Sequence, residues 1–200
     1  CMIALHSGAD VVMQHISSGR SVDIIRHFKS LGANIHTEAT PHHFTLTDEA
    51  VLTYGTLAKM NPPLRSKADV EALREGLKNN IMDVIATDHA PHAEQEKDRS
   101  MKDAAFGIVG LETSAALTYT ELVETGVLTP MQMAEKMSYN PAKILGLKDR
   151  GSVSAGKKAD IVVFDPRREY QIDVDTFASK GKNTPFDGWE VKGEVCCTLA

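Results

Sequence analysis

The chain has 200 residues, 22 Lys and Arg against 27 Asp and Glu, a formal charge of -5 and 42% hydrophobic residues, which is globular composition with room for one domain core and a small appendage. The acidic balance argues against a nucleic-acid surface, no apolar run approaches the ~20 residues of a membrane span, and Cys1 to Asp10 lacks the pattern of a signal peptide. The cysteines, Cys1, Cys196 and Cys197, have no CxxC spacing, and sequence neighbours rarely bridge each other, so a reducing cytoplasm is the expected compartment.

In chain order, Met2 to Leu5 looks like the end of a helix, which predicts a chain that enters in the middle of a fold. Asp10 to His15 (DVVMQH) reads as a short strand, and Ile16 to Gly19 as a turn. Ser18 is placed to cap a helix carrying Val22, Ile24, Ile25, Phe28 and Leu31, with Gly32 as its stop. Asn34 to Thr40 is a second strand, broken by Pro41. Ser66 and Asp69 form a capping-box-like start before Val70, Leu73 and Leu77. Ile81 to Thr87 is a third strand, apolar nearly throughout, as expected where both faces are buried. Glu94 to Lys102 (EQEKDRSMK) reads as a solvated loop, in position to act as a lid. Leu111 to Gly126 predicts a helix, and Thr129-Pro130 opens another with Pro at its first position. After Arg150 the texture changes to Gly-rich turns, a strand over Ile161 to Phe164 and a second over Val191 to Leu199, a small β appendage. Strands alternating with helices predict an α/β fold.

The polar residues of chemical interest follow strand ends, as they do on the rim of an α/β barrel. In Asp88-His89-Ala90-Pro91-His92, an aspartate at a strand end can ligate a metal and accept a proton from water, and His92 can reach the same cavity after the Pro91 turn. His15 offers an imidazole, the commonest metal ligand, on the same rim. Two ligands are fewer than the three protein ligands that catalytic zinc generally uses. Thr40-Pro41-His42-His43 reads as extended, which would turn successive side chains to opposite sides and give these histidines a supporting role. In Asn61-Pro62-Pro63-Leu64-Arg65 the prolines stiffen a loop, Asn61 can hydrogen-bond an amide-like substrate, and Arg65 reads as a bridge to the scaffold. Ala105-Phe106-Gly107 lacks dinucleotide spacing, but Gly107 lets backbone come close to a ligand.

Taken together and in this order, Gln14-His15-Ile16-Ser17, Thr40-Pro41-His42-His43, Asn61-Pro62-Pro63-Leu64-Arg65, Asp88-His89-Ala90-Pro91-His92 and Phe106-Gly107 resemble the dihydroorotases of the amidohydrolase superfamily, longer bacterial-type class. Gly151-Ser152-Val153 through Lys158-Ala159-Asp160-Ile161, and Pro185-Phe186-Asp187-Gly188-Trp189, look like the family's small β domain and C-terminal signature. The resemblance implies a metal-dependent-hydrolase (β/α)8 barrel, with residues 1–150 as about strands six to eight and 151–200 as part of the small β domain. It implies zinc, with His15 and Asp88 as ligands and Asp88 as general acid/base. Asn61, His92, Phe106 and Gly107 are the implied substrate-binding positions. The implied reaction is reversible hydrolysis of dihydroorotate to N-carbamoyl-aspartate in pyrimidine synthesis. A homo-oligomer and aspartate carbamoyltransferase are the implied partners.

The sequence departs from the family in having no H-x-H pair. The family's strand-one H-x-H and arginine, its strand-four carboxylate and its strand-five histidine would lie upstream of Cys1. The expectation is therefore a C-terminal portion, nearly inactive alone and self-associating through exposed apolar edges. Two other readings differ from a dihydroorotase: a non-catalytic partner-binding scaffold, and another cyclic amidase of the hydantoinase or allantoinase type.

Overall fold

A computed structural model describes residues 1–200. Its framework is a parallel sheet in the order β1-β2-β3, with β1 over Val11–Met13, β2 over Ile35–Ala39 and β3 over Val84–Ile85. Val11 pairs with Ile35 and Met13 with Thr37, while Glu38 pairs with Val84 and Ala39 with Ile85. Along β2, Ile35, Thr37 and Ala39 are buried, and His36 and Glu38 lie on the other face, the period-two alternation of a strand.

The third strand is shorter than the apolar run Ile81 to Thr87 predicts. The amides of Ile81 and Met82 both donate to the Gly76 carbonyl, finishing the preceding helix rather than joining the sheet. The Asp83 carboxylate then accepts from the Thr37 amide at 2.8 Å and from the Lys29 ammonium at 2.5 Å. A side chain thus supplies the bond that a longer ladder would have used.

Two helices cover one face of this sheet. After α1 (Met2–Ser7), α2 spans Gly19–Ser30, with the Ser18 hydroxyl accepting from the Ser21 amide as anticipated. Three short turns follow β2: α3 (Pro41–Thr45), α4 (Ala50–Tyr54) and a 3-10 turn over Gly55–Ala58. α5 spans Lys67–Lys78, capped by Ser66. The Asp69 carboxylate accepts from the Gly19 amide at 2.8 Å, tying the start of α5 to the start of α2. Val22, Ala39, Phe44, Leu73, Leu77, Met82, Ile85, Leu122 and Leu128 form the core between helices and sheet. Complete burial of a side chain such as Leu73 or Leu77 contributes about 2–3 kcal/mol.

The predicted helix over Leu111 to Gly126 is interrupted. α6 (Glu94–Lys97) lies ahead of it, and only α7 (Ser114–Thr118) is α-helical before a π-helical turn over Tyr119–Val123. At its front, the amides of Gly110 and Leu111 donate to the His89 ring, and the Glu112 carboxylate accepts from the amides of Ala178 and Ser179. Those tertiary bonds hold the segment off helical geometry. α8 (Pro130–Ala134) opens with a reciprocal Thr129–Gln132 cap and runs through a π-helical turn, Glu135–Tyr139, into α9 (Asn140–Ile144). Within that turn, the buried Lys136 donates to the Met82 carbonyl and to Asn80 Oδ1.

The appendage is an antiparallel hairpin of β4 (Ile161–Gln171) and β5 (Glu190–Leu199), longer on its first strand than the predicted Ile161 to Phe164. Pro166, which cannot donate to a ladder, falls within the register irregularity between Asp165 and Glu169. Phe186, Ile172 and Val191 pack with Met60, Leu64, Ile108 and Leu117, so the hairpin base shares a core with the loops at the sheet's rim. No helix is long and apolar enough to cross a membrane.

Candidate active site

Three residues other than glycine have a left-handed backbone: His15 (φ 37°), Asn80 (φ 57°) and Asp88 (φ 48°). Asn80 is a turn asparagine, a type that tolerates this conformation. The other two lie just beyond the C-terminal ends of β1 and β3, on either side of β2. For an L-residue the conformation costs about 1–2 kcal/mol, so the surroundings must enforce it. For His15 the enforcing group is Glu38. Its carboxylate accepts from the His15 amide at 3.1 Å, and its carbonyl accepts from the Ile16 amide at 2.9 Å. The His15 ring is left with a buried Nδ1 that has no hydrogen-bond partner.

Burial pushes the Glu38 carboxyl above the usual carboxylate range. The His15 amide and the His15 charge oppose this, and the negative charge of Asp88 adds to it. Glu38 therefore lies within electrostatic reach of both candidate ligands.

Behind these residues lies a relay of defined direction. His43 Nε2 is 2.9 Å from the Pro62 carbonyl, which can only accept, so this nitrogen carries the proton. His43 Nδ1 must then accept from the Thr40 hydroxyl at 2.7 Å, and Thr40 Oγ1 accepts from His42 Nε2 at 3.0 Å. Burial, and then the neighbouring His43 and His15 charges, hold His42 well below the usual histidine range. His43 is lowered chiefly by its own burial, with the Pro62 carbonyl and Asp88 acting in the opposite sense. Both rings are neutral at pH 7. The extended reading of this segment is corrected: Pro41–Thr45 is one helical turn, so both rings are buried together, 4.3 Å apart.

A second group surrounds the expected substrate side. Asn61 is exposed between two anchors, the Lys59 carbonyl, which accepts from the Gly107 amide at 2.9 Å, and the Pro62 carbonyl held by His43. His92 Nε2 is 2.9 Å from the Phe106 carbonyl, and the His92 amide donates to Asn183 Oδ1. The Asn183 amide nitrogen in turn donates to the carbonyls of Ala90 and Gly107. Gly107 has φ 96°, and a Cβ there would sit 2.7 Å from that of Ala90. Phe106 is exposed.

Other motif residues are engaged by the scaffold. His89 Nδ1 accepts from the amides of Gly110 and Leu111 and is engaged in the scaffold. Arg65 Nε is 3.4 Å from Ser17 Oγ, the scaffold bridge anticipated for it. The reading of Glu94 to Lys102 as a solvated loop is corrected at Lys97, which is buried with its ammonium donating to the carbonyls of Ala105 and Gly107.

For a metal ion, the orphaned His15 nitrogen and the Asp88 carboxylate are suitable donors. No group of three or more His, Cys, Asp or Glu is arranged to hold one unaided. The residues present therefore fit a partial ligand set.

The model of the amidohydrolase family matches residues 4–200. The chain belongs to the amidohydrolase family. It is 53% identical over 199 residues to a dihydroorotase of Clostridioides difficile (strain 630), covering 100% of this chain and 47% of that protein. With a dihydroorotase of Pelotomaculum thermopropionicum the identity is 52%, over 99% of this chain and 46% of the relative. Among solved structures it is similar to the L-hydantoinase (dihydropyrimidinase) of Arthrobacter aurescens, with a TM-score of 0.94 at 30% identity over 99% of this chain and 45% of that one. A dihydropyrimidinase of Brevibacillus agri gives a TM-score of 0.92 at 26% identity. This amidohydrolase chain thus spans a little under half the length of the curated relatives it matches.

Sequence reasoning missed Glu38, Lys59, Lys97 and Asn183 in this amidohydrolase, and it named Thr40 within a motif without giving its hydroxyl a role. Glu38 had a usable signal, a carboxylate inside a central parallel strand whose faces are normally both covered. Asn183 had none, because its partners are about ninety residues away, as in its bond to His92.

Proposed function

We propose that the chain is part of a zinc-dependent dihydroorotase that catalyses the reversible hydrolysis of dihydroorotate to N-carbamoyl-aspartate. In this reading residues 1–150 carry strands six to eight of a (β/α)8 barrel, and residues 151–200 are part of its small β domain. The observation that carries it is the pair of left-handed residues, His15 and Asp88, held at the same edge of one parallel sheet. The dihydroorotase relatives and the hydantoinase neighbours support a cyclic-amide substrate.

The roles follow from side-chain chemistry. His15, with its unpartnered nitrogen, and Asp88 would hold the metal ion together with donors from outside this chain. Bound zinc supplies Lewis acidity and lowers the pKa of water. Asp88 takes a proton from the attacking water as the new C–O bond forms, and delivers it to the ring nitrogen as the C–N bond breaks. Asn61 and His92 bind the substrate's polar groups, and the Phe106–Gly107 backbone lies against its ring. Self-association accompanies this function, and aspartate carbamoyltransferase is the partner proposed for the whole protein.

The decisive experiment replaces the matching segment of the Clostridioides difficile relative with this chain and measures bound zinc and dihydroorotate hydrolysis, with Asp88→Ala as control. Zinc binding with Asp88-dependent turnover is the expected result. A folded, zinc-loaded chimera that hydrolyses hydantoin or allantoin and leaves dihydroorotate intact would favour the other cyclic amidases. A folded chimera without zinc or turnover would favour a non-catalytic scaffold.

A further inference from the structure

Two lysines stand beneath the loop that the proposed function sets against the substrate ring, and that reading gives them no part. Lys97 is 3% exposed and Lys59 is 9% exposed. Neither forms an ion pair with a carboxylate. Their partners are backbone carbonyls of one short segment: the Lys97 ammonium donates to Ala105 at 2.9 Å and Gly107 at 3.0 Å. The Lys59 ammonium donates to Lys102 at 3.1 Å and Ala104 at 2.5 Å, and lies 4.2 Å from the centre of the Phe106 ring. Four carbonyls between residues 102 and 107 are thus aimed inward at two positive charges.

Burying ammonium groups without a counter-charge is unfavourable, and a methionine of similar length would fill the same space at less cost. The amine also has a geometric effect that an apolar side chain lacks. Carbonyls drawn inward rotate their peptide planes, and the exposed edge of the segment takes its shape from that rotation. The cation–π contact likewise fixes one face of the otherwise exposed Phe106 ring. Ala104 and Gly107 are both buried, so the anchored carbonyls flank the exposed Phe106 on either side.

We infer that Lys97 and Lys59 are positioning residues for substrate recognition: their ammonium groups shape the 102–107 segment so that Phe106 and Gly107 meet the ring of a cyclic-amide substrate. The inference rests on the proposed function for the identity of the ligand, but not for the existence of the brace. Neither lysine touches substrate, and neither belongs to the acid/base or metal-binding set. The Lys59 main chain adds a second link, since its carbonyl accepts from the Gly107 amide while Asn61 lies two residues further on. One short stretch therefore carries both the loop's anchor and a candidate substrate ligand.

The test has two arms. In the first, amide hydrogen exchange is followed on the 200-residue chain for wild type, Lys97→Met, Lys97→Arg and Lys59→Met. The expected result is faster exchange confined to residues 102–110 in both methionine variants, with protection largely retained in Lys97→Arg. Unchanged exchange in that segment overturns the brace. Loss of protection across the whole chain in Lys97→Met and Lys59→Met alike also overturns it, because the lysines would then be general scaffold. In the second arm, the same variants are placed in the chimera described above. In the two methionine variants KM for dihydroorotate should rise about tenfold with kcat changed much less, the pattern of lost binding rather than lost chemistry, while Lys97→Arg stays near wild type. Local loosening with KM unchanged overturns the recognition role. A wild-type chimera that does not act on dihydroorotate counts against the proposed function and the ligand named here, while the exchange arm still decides whether the lysines hold the segment.

Discussion

Thr40→Val tests the direction of the histidine relay. Threonine and valine are nearly isosteric, and Thr40 is wholly buried, so the substitution removes the hydroxyl with little change of shape. His43 Nδ1 then loses its donor and His42 Nε2 loses its acceptor, and neither ring can reach water. A buried polar group left without a partner costs about 1–3 kcal/mol, so two cost roughly 2–6 kcal/mol. A methyl group in place of a hydroxyl returns up to about 1 kcal/mol. The expected net loss is about 1–6 kcal/mol in urea unfolding, with an unchanged m-value. Thr40→Ser keeps the hydroxyl and loses only a methyl group, which costs about 1 kcal/mol. Valine must therefore be worse than serine. If valine costs less than serine, packing rather than the relay holds this site, and the tautomers deduced for His42 and His43 fall with it.

The buried Lys97 gives a pH signature. Burial, and secondarily the Lys59 charge, lower its ammonium from 10.5 to about 8 in the folded chain. Below pH 8 both folded and unfolded states are protonated and the folded state carries the full penalty. Between pH 8 and 10.5 the folded state has released a proton that the unfolded state keeps, so stability rises with pH. At ~1.36 kcal/mol per pH unit the gain is up to about 3 kcal/mol, read as the wild-type minus Lys97→Met difference in unfolding free energy at pH 7 and pH 10. A difference that does not vary with pH refutes it. Gly107→Ala forces a side chain into φ 96° and against the Ala90 Cβ, for an expected loss of about 1–3 kcal/mol in thermal or urea unfolding, partly recovered in combination with Ala90→Gly. No recovery would mean that backbone strain alone sets the cost. β1 is an edge strand bordered by exposed Met2, Ile3 and Val12, so the chain should self-associate in sedimentation velocity as concentration rises; a single monomeric species throughout contradicts that.

Sequence and structure agree where the signal is local. The Ser18 and Ser66 caps, the Thr129-Pro130 helix start and the strand at β2 depend on neighbours a few residues away, and each forms as its local signal implies. The motif residues could likewise be assigned to strand ends from the apolar runs before them. The departures arise where a distant partner competes with local preference. Ile81 to Asp83 reads as strand by composition, yet the Gly76 carbonyl and the Thr37 amide claim its polar groups. Glu94 to Lys102 reads as solvated because it is charged, yet the long apolar stem of Lys97 is buried while its ammonium finds carbonyls. His42 and His43 read as facing opposite ways when Pro41 is read as ending a strand, whereas its fixed φ also suits the first turn of a helix.

The strain at His15 and Asp88 links the fold to the proposed chemistry. A glycine at either position would adopt a left-handed backbone at little cost, as Gly107 does, but would bring no imidazole or carboxylate to the rim. Keeping the side chains costs about 1–2 kcal/mol at each residue, and this must be offset elsewhere. At His15 the offset is visible, because Glu38 binds the His15 amide with its carboxylate and the Ile16 amide with its carbonyl. Glu38 can do so only from β2, whose Ile35, Thr37 and Ala39 are buried on the opposite face. The alternation that buries one face of the central strand therefore presents, on the other, the carboxylate that holds a strained histidine in place.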